Sequence, residues 1–167
     1  MLFRSANIKQ PQSLSDTAIS FAAGLIRYVR EYSLVTHPLV NSYKRDSLQA
    51  TWGDMGNVAV LVPPERGDNT RLELRTADPA CNAYLTLACI AAAGLQGLRV
   101  KCPPDHPILP LPLDLGQAIE AFAQSDFCRA ALGATLYGNL LTAKQIEWNI
   151  YGSSVNSWDV RQYLEKY

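Results

Sequence analysis

The sequence predicts one α+β domain in which antiparallel strands are packed by C-terminal helices. Three strand-like segments follow one another between residues 48 and 75, and the short turns that join them favour antiparallel pairing. Helical signals dominate the remainder of the chain. Hydrophobic residues make up 48% of the 167 residues, which is enough to bury a sizeable core. We expect residues 1–12 to be an irregular lead-in and residues 13–167 to form the domain.

Charge and cysteine usage exclude several classes of protein. The 15 basic residues balance 15 acidic ones, so no global field attracts nucleic acid or an acidic membrane, and neither is an expected partner. The best apolar run, Tyr84–Leu98, is too short to span a bilayer, and the N-terminus lacks the apolar core of a signal peptide. The 4 cysteines form no CxxC pair, which favours a reduced, cytoplasmic setting.

The N-terminal part predicts an amphipathic helix and then a loop. Residues 13–32 carry an apolar stripe at helical spacing, and Ser13 or Ser15 can cap the helix. Thr36-His37-Pro38 ends regular structure, because a residue that precedes proline avoids the helical region. The next segment, Leu39–Arg45, reads LVNSYKR and ends in two adjacent cations, a pattern more typical of a solvated loop than of a binding site.

Two strands are predicted next, at Leu48–Trp52 and Asn57–Val62. The four residues GDMG between them suit a hairpin-like loop. The run Val58–Val62 is continuously apolar, as a central strand would be, and Pro63-Pro64 ends it. A polar turn over residues 65–70 then leads to the third strand.

The third strand, at residues 71–75, carries the charges on which the functional argument depends. Leucines alternate with charged residues, and this period of two places Leu72 and Leu74 on one face. The other face presents three charged side chains, which are Arg71, Glu73 and Arg75.

A long helix is predicted directly after this strand. Asp78 suits the N-cap position and Pro79 the first helical position, so we expect the apolar run Ala80–Leu98 to be helical. The strand would then deliver its three charges to the start of a buried helix.

Four further helices are predicted after a proline-rich connector. Asp114 is the expected cap of the first, and Gly133 suits the C-terminus of the second. Ser157 is the expected cap of the last. The predicted ranges are Leu113–Ala123, Asp126–Leu132, Leu136–Tyr151 and Trp158–Tyr167.

The charged strand face has two interpretations. Arginine binds carboxylates and phosphates through a planar fork, and Arg45, Arg71 and Arg75 supply three such forks. Glu73 can pair with its neighbouring arginines, or it can bind a hard divalent cation while the arginines hold the anions that the cation bridges. One carboxylate cannot build such a site, and no other Asp or Glu stands at an obvious companion spacing. The remaining ligands would come from distant residues or from outside this sequence.

Several segments, in the right order, resemble one known family. The segment LVNSYKR resembles an N-S-Y-K-R motif, and residues Arg71–Leu85, RLELRTADPACNAYL, resemble R-[VIL]-E-x-R-x-x-D-P-x-x-N-P-Y-L. AAAGLQGL at Ala91–Leu98 and the C-terminal run that contains KQIEW and SWDVRQYL match two further motifs. These are motifs of the C-terminal part of the glutamine synthetase catalytic domain, so the resemblance implies the second half of that barrel.

The resemblance implies ATP-dependent joining of an amine to the side-chain carboxylate of glutamate through an acyl phosphate. It implies ATP and Mg²⁺ or Mn²⁺ as cofactors, glutamate and ATP as ligands once a site is completed, and a homo-oligomer in the full-length form. By motif position, Glu73 would be a metal ligand and Arg71 would contact phosphate. Arg75 and Arg45 would hold carboxylates or the developing acyl phosphate.

Departures from the family pattern leave alternatives open. Family members are more than twice as long, and the segments that carry most metal-binding glutamates would lie upstream of Met1. In the family, a flap segment whose glutamate closes the site follows the N-S-Y-K-R motif, and an N-R-S segment comes after it. The flap segment and its glutamate are absent after Arg45 in this chain, and Asn57 is followed by Val58 where the arginine of N-R-S is expected. This chain alone is therefore not expected to catalyse the reaction. Alternatives to a glutamine synthetase fragment are a γ-glutamyl-polyamine ligase fragment, an inert fragment, and a degenerate homologue that binds nucleotide, glutamate or other synthetase subunits.

Overall fold

Seven helices and one three-stranded sheet make up the described part of the chain. The computed structural model describes residues 14–44, 48–101, 110–164 and 166. The proposed lead-in falls entirely outside these ranges, so the domain boundary at residue 13 stays a prediction. The strands are β1 (Gln49–Gly53), β2 (Val58–Leu61) and β3 (Glu73–Leu74), and the helices are α1 (Asp16–Tyr28), α2 (Ser33–Thr36), α3 (Ala83–Val100), α4 (Leu115–Ala123), α5 (Asp126–Leu132), α6 (Ala134–Ser153) and α7 (Ser157–Asp159).

Side-chain caps begin helices α1 and α4 as the sequence predicts. Ser15 Oγ accepts a hydrogen bond from Ala18 N at the start of α1, and Asp114 accepts from Gln117 N at the start of α4. Gly133, with a φ of 76°, ends α5.

The predicted caps of α3 and α7 are wrong. Asp78 accepts a hydrogen bond from Ala80 N in a turn, and Asn82 caps α3 by accepting from Tyr84 N and Leu85 N. The Asx turn at Asp78 therefore delays the helix start from the predicted Ala80 to Ala83. At the C-terminus Asn156, one residue earlier than predicted, caps α7 in a reciprocal capping box.

The strand pairing is partly different from the prediction. Strand β2 pairs with β3 antiparallel, as expected, but β1 pairs with β2 parallel. Val58 lies beside Gln49, so residues 54–57 run back along β1 instead of forming a hairpin. These four residues are exposed, and Gly56 supports the reversal with a φ of 83°. The α+β class, with helices packed on a small sheet, is confirmed.

Helices α1 and α3 cross at very close range in the core. A Cβ atom at Gly24 would overlap Ala93 O, and one at Gly97 would overlap Ser20 O. The ring of Phe21 occupies the space beside Gly94. Small residues thus allow the two backbones to touch, which fixes α3 and the strand that precedes it against α1.

Helix α3 has the length and apolarity of a membrane span by composition alone. It contains 18 residues with a mean hydropathy of 1.4, so the expectation that this run is too short was wrong. Among the described residues it is the one such helix, which is weak evidence because the core helix of a globular domain passes the same test. Its packing on α1 accounts for the small and apolar residues on one face, whereas 33% of the helix is buried and Leu87 and Leu95 on its outer side are exposed.

Candidate functional site

Strand β3 separates a buried apolar face from a charged face. Leu72 is buried and Leu74 packs against the hydrophobic core, while Arg71 and Glu73 on the other face are half-buried. The strand is held by the pairing of Glu73 with Leu61 and by the hydrogen bond from Arg75 N to Ala59 O (2.8 Å). The predicted alternation of leucines and charged residues is confirmed, but the strand is shorter than the predicted range 71–75, because only Glu73–Leu74 pair with β2 and Arg71 and Leu72 lie just before the strand.

Arg71 is the centre of a small ionic cluster. Its Nε donates to Glu73 Oε1 at 2.7 Å, and its Nη1 lies 3.3 Å from Glu65 Oε2. Nη1 also donates to the carbonyl oxygen of Asn69 at 3.2 Å. The hydrogen bond to Glu73, and then the charge of Glu65, raise the pKa of the Arg71 guanidinium above its ordinary value. Of the two interpretations from the sequence, the described geometry has Glu73 paired with its neighbouring arginine.

Arg75 lies two residues further along and has a different partner. Its Nη1 donates to the carbonyl oxygen of Gly56 at 2.9 Å, so its side chain holds the loop between β1 and β2. It remains exposed. The structure thus brings Arg71 and Glu73 together and directs Arg75 toward the rim formed by the 54–57 loop.

Arg45, the fourth predicted site residue, lies outside the described residues. The motif residues before it form a 3₁₀ turn, Val40–Lys44. Ser42 Oγ accepts from Leu39 N at 3.2 Å, and Tyr43 Oη donates to the carbonyl oxygen of His37 at 2.8 Å. This turn is therefore well fixed up to Lys44.

Glu65 was missed by the sequence analysis. It stands in the polar turn six residues before Arg71, and the turn folds back so that its carboxylate reaches the guanidinium. A carboxylate directly after Pro63-Pro64 was the available signal, because prolines fix the direction of the chain. Its distance from Arg71 along the sequence concealed the pairing.

The described residues do not by themselves build a site for a resident metal ion. Among them there is no group of three or more His, Cys, Asp or Glu side chains that could hold a metal. One oxygen of Glu73 is occupied by Arg71, and Glu65 approaches the same cation. Glu73 can offer at most part of a coordination shell, which phosphate oxygens, water and further carboxylates would have to complete.

Comparisons with known proteins agree on one family. The family model for the glutamine synthetase catalytic domain matches residues 2–163. Curated relatives include the glutamine synthetases of Methanosarcina mazei (35% identical) and Thermus thermophilus (38% identical); each match covers 92% of this chain and 40% of the relative. The alignments extend over 178 residues, more than this chain contains, so the relatives have insertions relative to it.

Solved structures give the same result for the fold. A structure described as apo GmaS without ligand superimposes with a TM-score of 0.80 at 31% identity, over 93% of this chain and 40% of that one. A GmaS/ADP complex superimposes with a TM-score of 0.82, also at 31% identity, over 94% of this chain and 41% of that one. The chain spans about 40% of the length of these relatives. It belongs to the glutamine synthetase family, within the C-terminal part of the catalytic domain.

Proposed function

We propose that the Arg71–Glu73 face is one wall of an ATP-dependent ligase site that joins ammonia to the side-chain carboxylate of glutamate through γ-glutamyl phosphate. The observation that carries the proposal is a guanidinium held on a half-exposed strand face by two carboxylates, within the family motif R-x-E-x-R. Glutamate and ATP are the proposed ligands, and Mg²⁺ or Mn²⁺ the proposed metal. The proposed setting is the cytoplasm, which free thiols at Cys81, Cys89 and Cys128 support.

In this proposal Arg71 neutralises phosphate charge. An incoming phosphate oxygen would compete with Glu73 and Glu65 for the guanidinium, and a divalent cation would bind the carboxylate so released. Bound metal would supply charge neutralisation of the transferring phosphoryl group. Arg75, exposed near the rim, and Arg45 would hold carboxylate or acyl phosphate oxygens.

Turnover requires more carboxylates than this face contains. We therefore propose that the chain is inactive by itself and catalyses the reaction only when further residues complete the metal shell, in the homo-oligomer that the full-length form would make. The absence of a flap glutamate after Arg45 makes an amine larger than ammonia, such as a polyamine, the alternative substrate.

A second candidate is a non-catalytic homologue that binds nucleotide, glutamate or synthetase subunits. The occupation of Glu73 by Arg71 favours this candidate, because the pair satisfies itself without a ligand.

Calorimetric titration of this chain with ADP in the presence of Mg²⁺ or Mn²⁺ tests the proposal. Binding that Glu73→Ala abolishes and Glu120→Ala leaves intact is the expected result; Glu120 is an exposed glutamate on α4 and serves as the matched control. Absence of binding, or equal binding by the Glu73→Ala variant, would remove the strand as a metal–nucleotide site. Phosphate release from ATP in the presence of glutamate and ammonia, expected to be absent for the chain alone, separates binding from turnover.

A further inference from the structure

Three consecutive backbone carbonyls, at residues 36–38, each accept a hydrogen bond from a different part of the chain. Thr36 O accepts from Asp78 N at 2.9 Å, in the turn that follows strand β3. His37 O accepts from Tyr43 Oη at 2.8 Å, in the 3₁₀ turn with the N-S-Y-K motif. Pro38 O accepts from Lys144 Nζ at 2.5 Å, in helix α6. We refer to residues 36–38 as the junction segment.

Lys144 makes the longest-range of these contacts. It lies 106 residues from Pro38 along the chain, and its side chain is only 14% exposed. Its ammonium group also donates to Glu147 Oε2 at 2.7 Å, one turn further along α6. A lysine that is mostly withdrawn from water gives up rotamer freedom and hydration, so both contacts must compensate for that cost.

Helix α6 is itself fixed next to this contact. Trp148 packs on Gly116 of α4 so closely that a Cβ atom there would lie 2.9 Å from Trp148 Cε2. The packing of α6 on α4 therefore fixes the position from which the Lys144 ammonium donates to Pro38 O. Burial, and then the charges of Asp114 and Glu147, raise the pKa of the Tyr43 phenol above its ordinary value, so the phenol stays a neutral donor to His37 O.

We propose that Lys144 is a positioning residue, which holds the Pro38 carbonyl so that the N-S-Y-K turn and strand β3 keep a fixed separation. The junction segment is the shared support: its first carbonyl is bonded to the turn after β3 and its second to Tyr43. Removal of the ammonium frees the third carbonyl and loosens the other two attachments together. The functional consequence rests on the proposed function, but the structural coupling does not.

Amide hydrogen exchange on the complete chain tests the coupling. Lys144→Met keeps the aliphatic stem and removes the donor, so a role in packing alone predicts no change. We expect exchange of the Leu39, Ser42 and Asp78 amides to rise about tenfold, as the loss of one charge-assisted hydrogen bond implies.

Two further variants separate the carbonyl contact from the ion pair. Lys144→Arg should restore protection, because it keeps a charged donor. Glu147→Gln should leave the three amides within about twofold of the wild-type rates, because Pro38 keeps its donor. Unchanged exchange in Lys144→Met, or a rise confined to α6 while Asp78 stays protected, would overturn the proposal. Absence of ADP binding by the wild-type chain would instead count against the proposed function and leave this test intact.

Discussion

Arg71 Nε, two residues before the start of strand β3, lies 2.7 Å from Glu73 Oε1 on the charged face of that strand, and the same guanidinium reaches Glu65 Oε2 at 3.3 Å. The Arg71 guanidinium therefore forms ion pairs with two carboxylates, both of them substantially exposed. Exposed ion pairs contribute little to stability, because water and salt screen them. In the proposed function, an anion would compete with these two carboxylates for the guanidinium.

Glu65→Gln is expected to increase the affinity of the chain for inorganic phosphate. The change removes one competing negative charge and keeps the size of the side chain, so a severalfold gain at low ionic strength is expected, with a change in unfolding free energy below about 0.5 kcal/mol. Titration calorimetry with phosphate measures the first quantity and urea unfolding the second. The Glu120→Gln variant controls for net charge. Equal phosphate affinity in both variants would show that Glu65 does not restrain Arg71.

Gly97→Ala is expected to destabilise the fold, because the new methyl group would overlap Ser20 O and force α1 and α3 apart. Overpacking of this kind costs about 1–3 kcal/mol. Gly138→Ala is the matched control, since it is also helical and a Cβ there meets nothing within 4 Å. That change should stabilise α6 by about 0.5–1 kcal/mol. The urea unfolding midpoint should fall below that of the wild type for Gly97→Ala and rise above it for Gly138→Ala. An unchanged midpoint for Gly97→Ala would contradict the close crossing of the two helices.

Periodicity and capping chemistry made the helices and the charged strand predictable. The alternation of Leu72 and Leu74 with charged residues is a local property, and it determined correctly which face of β3 is buried. Two signals competed at the start of α3, and the Asx turn at Asp78 prevailed over the cap. Such competition depends on tertiary contacts, here the hydrogen bond from Asp78 N to Thr36 O.

Long-range relationships were not predictable from the sequence. The parallel pairing of β1 and β2 requires the 54–57 link to run backwards, which a short glycine-containing loop does not signal. The contacts of Glu65 with Arg71 and of Lys144 with Pro38 depend on chain reversals that no local pattern specifies. The family resemblance supplied the roles of Arg71, Glu73 and Arg75, and these remain proposals.

Stability is expected to fall as pH rises above about 10. Burial raises the pKa of Tyr32 and of Tyr43 above the ordinary value of 10.0. The folded state then keeps both phenols neutral while the unfolded chain ionises, so their contribution is complete below pH 10 and is lost as pH rises further. Each such group adds a slope of at most about 1.4 kcal/mol per pH unit.

The Tyr43→Phe variant isolates one of these contributions. Its unfolding free energy at pH 7 should be lower by about 1 kcal/mol, because the hydrogen bond to His37 O is lost. Between pH 10 and 11 its stability should decline less steeply than that of the wild type. Urea unfolding at several pH values gives both quantities, and parallel pH profiles for the two proteins would contradict the assignment to Tyr43.

Self-association is the expected behaviour of the isolated chain, since large apolar side chains of the C-terminal region are in water. Val155 and Leu164 are each 79% exposed, and Trp158 is 54% exposed. Exposed apolar groups gathered in one region favour contacts between molecules. Sedimentation velocity should show an average mass that increases with concentration, and Trp158→Ser should reduce this increase. Leu113→Ser, at an exposed position before α4, is the control and should have a smaller effect. A monomer at all concentrations would mean that these side chains do not act as a contact surface.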